Sequence, residues 1–283
     1  MTAANTVQSA RTLADAYSAL AERPGLIKII AGGTDLMVLM NARSLNDKNF
    51  LDIWGLDELR GIVDCGKSLR VGALTTFSDL GRSPLVLHHM PALAAASATV
   101  GAIQIQNRAT IGGNVVNASP AGDSLPVLAA YDAEIEAGSV RGTRQIGFRD
   151  FYTGYRSTSL QPDEMVIAFS IPKLSDGERD YFRKVGTRRA QAISKVVMSA
   201  RARVSRGLIE RISIGVGSVA PTVVRVPRTE LLLTGEPVSS SLIEKARQMV
   251  AEEVEPITDL RSTERYRRAV TGNLLAAFLR QLS

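Results

Sequence analysis

The sequence predicts an α+β fold in two parts: a larger body of alternating short strands and helices, and a smaller sheet-plus-helices domain, divided near residue 175. Three observations carry this. Up to residue 172, short apolar runs of strand length alternate with helical periodicities, punctuated by Gly, Pro and Asn. Between residues 179 and 221, two long β-like segments flank Arg206-Gly207 and read as an antiparallel pair. The last forty residues carry apolar positions at helical spacing.

Taken in order, residues 8–20 read as an amphipathic helix, with Leu13, Tyr17 and Leu20 on one face and Pro24-Gly25 as its stop. "LIKII" (26–30) reads as a buried strand. "TDLMVLM" (34–40) reads as a helix opened by Thr34 or Asp35 as N-cap. "NFLDI" (49–53) is a second short strand, and "RGIVDCGKSLRVGA" (60–73) a hairpin. "SPLVLHHMPALAAASATVG" is mainly helical, with Pro91 at a helix start. Residues 102–138 mix short β segments, glycines and a capped short helix. "EMVIAFSIP" (164–172) is a strand. In the tail, Tyr266, Val270, Leu274, Phe278 and Leu282 share one helix face.

Composition narrows the function classes. The chain has 283 residues, 45% of them apolar, and no run near the ~20 apolar residues of a membrane helix. The N-terminus lacks a basic-then-apolar secretion pattern, so a cytoplasmic protein is the simplest reading. Cys65 is the single cysteine, which excludes an internal disulfide and a four-thiolate metal or iron–sulfur site on this chain. Net charge is +6, but the basic residues are dispersed and aromatics do not interleave with them, so no nucleic-acid surface is expected. The only histidines, His88 and His89, are adjacent and make a poor metal or catalytic pair. "GVGSVA" (215–220) matches the dinucleotide fingerprint, yet Pro221 and the strand-like "TVVRV" follow where a helix is required.

The glycine pairs are the productive feature. Gly32-Gly33 joins a predicted strand to a helix start, where backbone N–H groups can converge on an anion. A strand-to-helix turn needing positive φ explains the same residues. A second segment, "ATIGGNVVNASPAGD" (109–123), repeats the glycine pair among Thr110, Asn114, Asn117, Ser119 and Asp123. Such small hydrogen-bonding side chains suit a ligand rich in hydroxyls and phosphates, although Asp123 is also a natural N-cap for "SLPVLAA". The two loops are placed to form two walls of one cleft.

"AGGTDL", "ATIGGNVVNASPAGDSLPVL" and "YFRKVGTRRAQAISKV", in this order, closely resemble the FAD-binding subunit of the molybdenum hydroxylases, the xanthine dehydrogenase and carbon monoxide dehydrogenase type. "RSTERYRRAVTGNLL" resembles that family's C-terminal domain. The resemblance implies a PCMH-type FAD-binding domain over 1–175, in lobes of about 1–55 and 56–175. A C-terminal domain of a three-stranded antiparallel sheet with helices follows over 176–283. It implies non-covalent FAD. The first wall would run from Lys28 through Ile29, Ile30, Ala31, Gly32, Gly33, Thr34 and Asp35 to Leu36, with Gly32, Gly33 and Thr34 at the phosphates. The second would comprise Thr110, Gly113, Asn114, Asn117 and Asp123, with Val100 and Gly101 nearby. Met165 and Val166 match positions near the isoalloxazine ring, and Lys184 a lysine that hydrogen-bonds the flavin. A carboxylate at Asp35 would repel a pyrophosphate, so a cap or backbone role is expected there.

The same resemblance implies no catalytic side chain and no metal on this chain. Hydroxylation would occur at a molybdopterin cofactor on a large subunit. Electrons would cross two [2Fe–2S] clusters on a small subunit to reach FAD, which takes single electrons and releases a pair to NAD, O2, a quinone or another carrier. A dimer of heterotrimers, a heterohexamer, is the implied assembly. The alternative from another class is a self-sufficient flavin oxidase of the same fold superfamily. Against it stand the lack of a separate substrate domain and of a His or Cys for covalent flavin attachment. A third alternative, a structural subunit that has lost its flavin, conflicts with two intact glycine loops and Lys184.

Overall fold

The computed structural model describes residues 6–42, 44–45, 49–188 and 190–282. The first elements are β1 (Thr6–Ser9), α1 (Leu13–Glu22), β2 (Lys28–Ile30), α2 (Leu36–Asn41) and β3 (Asn49–Asp52). Helix α1 begins five residues later than its periodicity predicts, because Thr12 and Asp15 form a reciprocal capping box. Residues 6–9 instead pair in parallel with β3, giving a three-stranded sheet in the order β1-β3-β2. The α1 face is as the spacing predicts: Leu20 is buried with Leu51 and Ile53, and Leu13 and Tyr17 pack at the edge of that cluster. Met165 and Ile167 join the same cluster from far along the chain, welding the first lobe to the second.

The second lobe is an antiparallel sheet in the order β4-β5-β10-β6-β7, built from β4 (Ile62–Asp64), β5 (Ser68–Gly72), β6 (Glu134–Ser139), β7 (Gly142–Gly147) and β10 (Met165–Pro172). Between β5 and β6 run α3 (Phe77–Arg82), α4 (Pro84–His89), α5 (Pro91–Ser97), α6 (Ile103–Gln106), α7 (Ile111–Val116) and α8 (Leu125–Ala130). A short helix α9 (Phe148–Phe151) and the hairpin β8 (Tyr152–Gly154) and β9 (Ser157–Thr158) precede β10. Phe77, Leu93, Leu128, Phe151 and Phe169 are buried together between helices and sheet.

Within residues 102–138, expected to mix short β segments with one capped helix, Ile103–Gln106 and Ile111–Val116 form the further helices α6 and α7. Five residues of alternation fit either period. Here Thr110 decides: its hydroxyl accepts the Gly113 N–H and starts α7, and only one β-bridge, Thr76 with Thr110, survives. The strand at 28–30 is half-buried at best, not buried, because one side of it faces a cleft. His88 and His89 end α4 with their rings edge-on and centroids 4.5 Å apart.

The C-terminal part holds β11 (Glu178–Val185), β12 (Val196–Ser205), β13 (Leu208–Gly217) and β14 (Val224–Arg225) in one antiparallel sheet of that order. It has four strands where three were expected, the addition being the two-residue β14 paired with Gly215 and Val216. The β12–β13 hairpin turns at Arg206 and Gly207, both left-handed (φ 52° and 78°), as a tight right-twisting turn requires. Helices α10 (Pro227–Leu233), α11 (Ser240–Glu253) and α12 (Glu264–Leu279) cover the sheet. Leu275 and Phe278 are buried among Val196, Ile214 and Val216. "GVGSVA" is the end of β13 and a turn, with no helix behind it.

A buried polar cluster fastens β11 and β12 to the second lobe. Arg201 pairs with Glu178, both nearly inaccessible, and lies over the Tyr131 ring at 5.0 Å. The Tyr131 hydroxyl donates to Asp180 Oδ2 at 2.6 Å, and the Ala92 N–H donates to the same oxygen. Burial would raise the Glu178 carboxyl, but the Ser175 N–H and Arg201 hold it below the usual range.

Candidate functional site

A cleft of about 1270 Å³ lies where the two glycine loops meet the C-terminal sheet. Its first wall runs from β2 into α2. A Cβ on Gly32 would sit 1.7 Å from the Arg108 carbonyl oxygen, so this position admits no side chain: the first loop rests directly on the backbone leading into the second. A Cβ on Gly33 would meet only ordinary contacts, Met37 Cγ at 3.7 Å and Ile30 Cγ2 at 4.0 Å, but its φ is +77°, which only glycine adopts at no cost. The N–H groups of Gly32, Gly33, Thr34 and Asp35 donate to no other described residue. Donors normally find partners, so these four remain available to an acceptor in the cleft. Asp35 holds the cap position of α2 in a helical conformation, and its side chain makes no cap hydrogen bond, contrary to the capping role expected from sequence. Crowding by the cleft walls raises the Asp35 pKa although the residue keeps solvent contact, and Arg156 pulls it back.

The second loop is built differently. The Ile111, Gly112, Gly113 and Asn114 N–H groups donate to Thr75 O, Ala73 O, Thr110 Oγ1 and Thr110 O. Its backbone donors are spent on holding the loop in place. What it offers the cleft are side chains: Asn114, whose Oδ1 accepts from Ser124 Oγ at 2.7 Å and whose amide nitrogen bonds no described residue, and Asn117, whose Oδ1 accepts from Arg156.

Asp123 is not a helix cap. It is buried, and its Oδ2 accepts from Lys184 Nζ at 2.5 Å, while the same nitrogen donates to the Thr99 carbonyl at 3.0 Å. Burial pushes the Asp123 carboxyl up to about 6 against the pull of Lys184. Its second oxygen, Oδ1, is buried with no partner, a vacancy in hydrogen bonding of the sort that buried polar groups rarely keep unless a ligand fills it. Lys184 lies on β11, so the pair bridges the second lobe and the C-terminal sheet.

Among the residues anticipated from sequence, Lys28, Ile29, Ala31, Gly32, Gly33, Thr34, Asp35, Leu36, Val100, Gly101, Thr110, Gly113, Asn114, Asn117, Asp123, Met165, Val166 and Lys184 line this one cleft. Ile30 does not; its carbonyl accepts from the Ile53 N–H within the sheet. Sequence reasoning missed Arg156 at the tip of the β8–β9 hairpin, the loop at Gln191–Ser194, and a C-terminal wall at Asp259, Arg261 and Arg267. Arg267 is buried and donates to the Lys195 and Ser218 carbonyls and to Asp259 Oδ1. Gln191–Ser194, Arg261 and Arg267 lie inside stretches that carry the family resemblance, but nothing local gives them a place in the cleft, and Arg156 and Asp259 have no motif; the topology brings them to the glycine loops.

Residues 3–174 match the FAD binding domain in molybdopterin dehydrogenase, and residues 181–282 match the CO dehydrogenase flavoprotein C-terminal domain. The chain belongs to the family of FAD-binding subunits of molybdopterin dehydrogenases. It is similar to the putative xanthine dehydrogenase FAD-binding subunit of Escherichia coli, 34% identical over 262 residues that cover 91% of this chain and 89% of that one. It is also similar to the nicotine 6-hydroxylase medium subunit of Paenarthrobacter nicotinovorans, at 30% identity over 88% of this chain and 87% of that one. Among solved structures, a carbon monoxide dehydrogenase chain from Hydrogenophaga pseudoflava superimposes with a TM-score of 0.94, at 26% identity, covering 97% of this chain and 96% of that chain. This flavoprotein subunit therefore combines a PCMH-type FAD domain with the family's C-terminal domain, and its relatives are oxidoreductase subunits.

The residues present fit FAD on their own evidence. Four loop amides free to donate, two Asn side chains and an unfilled carboxylate acceptor match a ligand that offers phosphates, ribityl hydroxyls and a ring N–H.

Proposed function

We propose that this chain binds FAD non-covalently in the cleft between its glycine loops and serves as the electron-transfer flavoprotein of a molybdenum hydroxylase. The observation that carries the reading is the opposition of the four unbonded amides of Gly32–Asp35 to the buried Lys184–Asp123 pair across one cleft. Gly32, Gly33 and Thr34 hold the phosphates through N–H groups, which donate without burying a lone charge. Asn114 and Asn117 hold the ribityl and phosphate oxygens. Asp123 Oδ1 accepts a hydroxyl or ring N–H. Met165 and Val166, buried at the start of β10, shape the apolar floor for the ring system, and Val100 and Gly101 close the side that Gln191 latches through its N–H to the Gly101 carbonyl.

Bound FAD supplies the capacity to take electrons singly and pass on a pair. The chain's own residues orient it, exclude water and set the charge around it. The names of the relatives, medium subunits and FAD-binding subunits, support large and small partner chains. In this reading the large chain carries the molybdopterin cofactor and the small chain two [2Fe–2S] clusters, and they assemble as a dimer of heterotrimers in the cytoplasm. NAD is one fitting acceptor. Among the described residues no helix is long and apolar enough to cross a membrane.

The test is direct. The purified chain takes up one FAD, followed through quenching of Trp54, its single tryptophan, and it shows no hydroxylase activity alone. Gly33→Asp and Gly113→Asp, which place a carboxylate in the cleft, abolish uptake. Unchanged flavin occupancy in both variants refutes the site.

A further inference from the structure

The walls of the cleft hold few uncompensated positive charges. Lys184 is neutralised by Asp123, and Arg261 and Arg267 share Asp259. At the first loop Asp35 adds a negative charge, which works against a pyrophosphate. Among the described residues lining the cleft, Lys28 and Arg156 alone among the cations have no carboxylate within 4 Å. Lys28 starts the strand, four residues before Gly32. Arg156 is the one held over the gap between loops.

Its position is built rather than incidental. Arg156 occupies the turn between β8 and β9 in a left-handed conformation, φ +52°, unusual for a residue with a side chain. Its Nη1 donates to Asn117 Oδ1 at 3.1 Å, tying the guanidinium to the end of the second glycine loop. From there its charge reaches Asp35 on the first loop. Tyr155, beside it, lines the same cleft. With Nη1 on Asn117 and Nε on the Tyr155 hydroxyl at 3.5 Å, Nη2 and the second Nη1 hydrogen of the planar fork are left to donate to phosphate oxygens.

We propose that Arg156 is the phosphate clamp of this cleft, reaching from the β8–β9 hairpin across the two glycine loops to bind the pyrophosphate of FAD and offset Asp35. This rests on the FAD reading above. It assigns the anion's counter-charge to a third element, while the loop amides supply neutral donors. Asn117 is then a positioning residue that aims the guanidinium.

The test titrates the apo chain with FAD and with riboflavin, which lacks both phosphates, at two salt concentrations. Arg156→Gln weakens FAD at least about tenfold, about 1.4 kcal/mol, flattens the salt dependence of FAD binding, and leaves the melting temperature and any riboflavin binding unchanged. Arg156→Lys keeps most of the affinity, and Asp35→Asn added to Arg156→Gln restores part of it. FAD affinity and salt dependence equal to wild type in Arg156→Gln overturn the clamp while leaving the FAD site standing. A loss with unaltered salt dependence, or one shared equally by riboflavin, overturns it in favour of a structural role for the hairpin. Failure of the wild-type chain to bind FAD at all overturns the underlying reading instead.

Discussion

Replacing Gly32 by alanine asks how tightly the two loops are pressed together. The added Cβ would lie 1.7 Å from the Arg108 oxygen and 2.5 Å from its carbonyl carbon, whereas real Cβ atoms stay beyond 3.0 Å. The loops must therefore separate by at least 1.3 Å. Arg108 and Ala109 cannot recede, because the Ala109 N–H is tied to Ile105 and its carbonyl accepts from Phe77. The movement falls on the first loop, which carries the four free amides. A hydrogen bond to a charged group is worth about 1.5–3 kcal/mol. Losing one or two weakens FAD by roughly a hundredfold, at about 1.4 kcal/mol per factor of ten. Gly33→Ala is the control: no atom obstructs its Cβ, and it suffers only the left-handed backbone cost of about 1–2 kcal/mol. Titration of both apo variants, followed by Trp54 quenching and checked by thermal unfolding, separates the effects. If Gly32→Ala binds FAD within threefold of wild type at an unchanged melting temperature, the reasoning from loop contact is wrong.

Three further outcomes are expected. Lys184→Ala keeps FAD but lowers its two-electron potential by about 30 mV or more, about 1.4 kcal/mol, while Asp123→Asn raises it by uncovering the ammonium; identical potentials in redox titrations would detach the pair from the flavin. The Asp123 pKa is raised on folding, to about 6, so its contribution to stability is full below about pH 4 and is lost as pH rises through 6. That loss is at most about 3 kcal/mol. Chemical denaturation of the apo chain at pH 5 and 7.5 should show it in wild type and not in Asp123→Asn. The Glu178 pKa is lowered, so the opposite sign holds: its pairing with Arg201 stabilises above the ordinary carboxylate range and is lost as pH falls through the folded value. Glu178→Gln costs about 3 kcal/mol at pH 7, as breaking a buried pair does, and progressively less as pH falls below the ordinary carboxylate range; a cost that does not change with pH would refute the assignment.

How much of this was legible from sequence depends on the range over which each feature is encoded. Helix α1, the 62–72 hairpin and the β12–β13 hairpin follow from short-range periodicity and turn chemistry, and each was read correctly apart from the start of α1. Helix α7 was not, since "ATIGGNVV" has β-branched residues and two glycines. It becomes helical because Ala73 and Thr75 carbonyls, far off in sequence, take its first N–H groups. The glycine pairs look equivalent in sequence, yet only the first leaves its amides unbonded. Whether a donor is spent or spare is a tertiary property. Asp123 shows the same limit: its local context reads as an N-cap, and a lysine sixty-one residues away redirects it. Arg156 had no local signature at all.

The charge arrangement explains why the cleft is assembled from three elements and not from one basic loop. A lone buried ion costs several kcal/mol in desolvation, so the buried cations Lys184 and Arg267 each arrive with a carboxylate, Asp123 and Asp259. An anion held by buried, neutralised cations gains little net charge from them. Neutral amides do not carry that penalty, and the first loop brings four of them, unbonded among the described residues, to the cleft wall. The remaining counter-charge belongs at the rim, where Arg156 stays hydrated until the ligand arrives. Because Lys184 comes from β11 and Asp123 from the second lobe, the flavin end of the cleft exists only while the C-terminal sheet is docked. Asp180 on β11, which accepts from the Tyr131 hydroxyl and the Ala92 N–H of the second lobe, helps hold that docking. The phosphate end, made of β2, α2 and the β8–β9 hairpin, does not depend on it. Loosening the interface should therefore disturb the flavin environment before it disturbs phosphate binding.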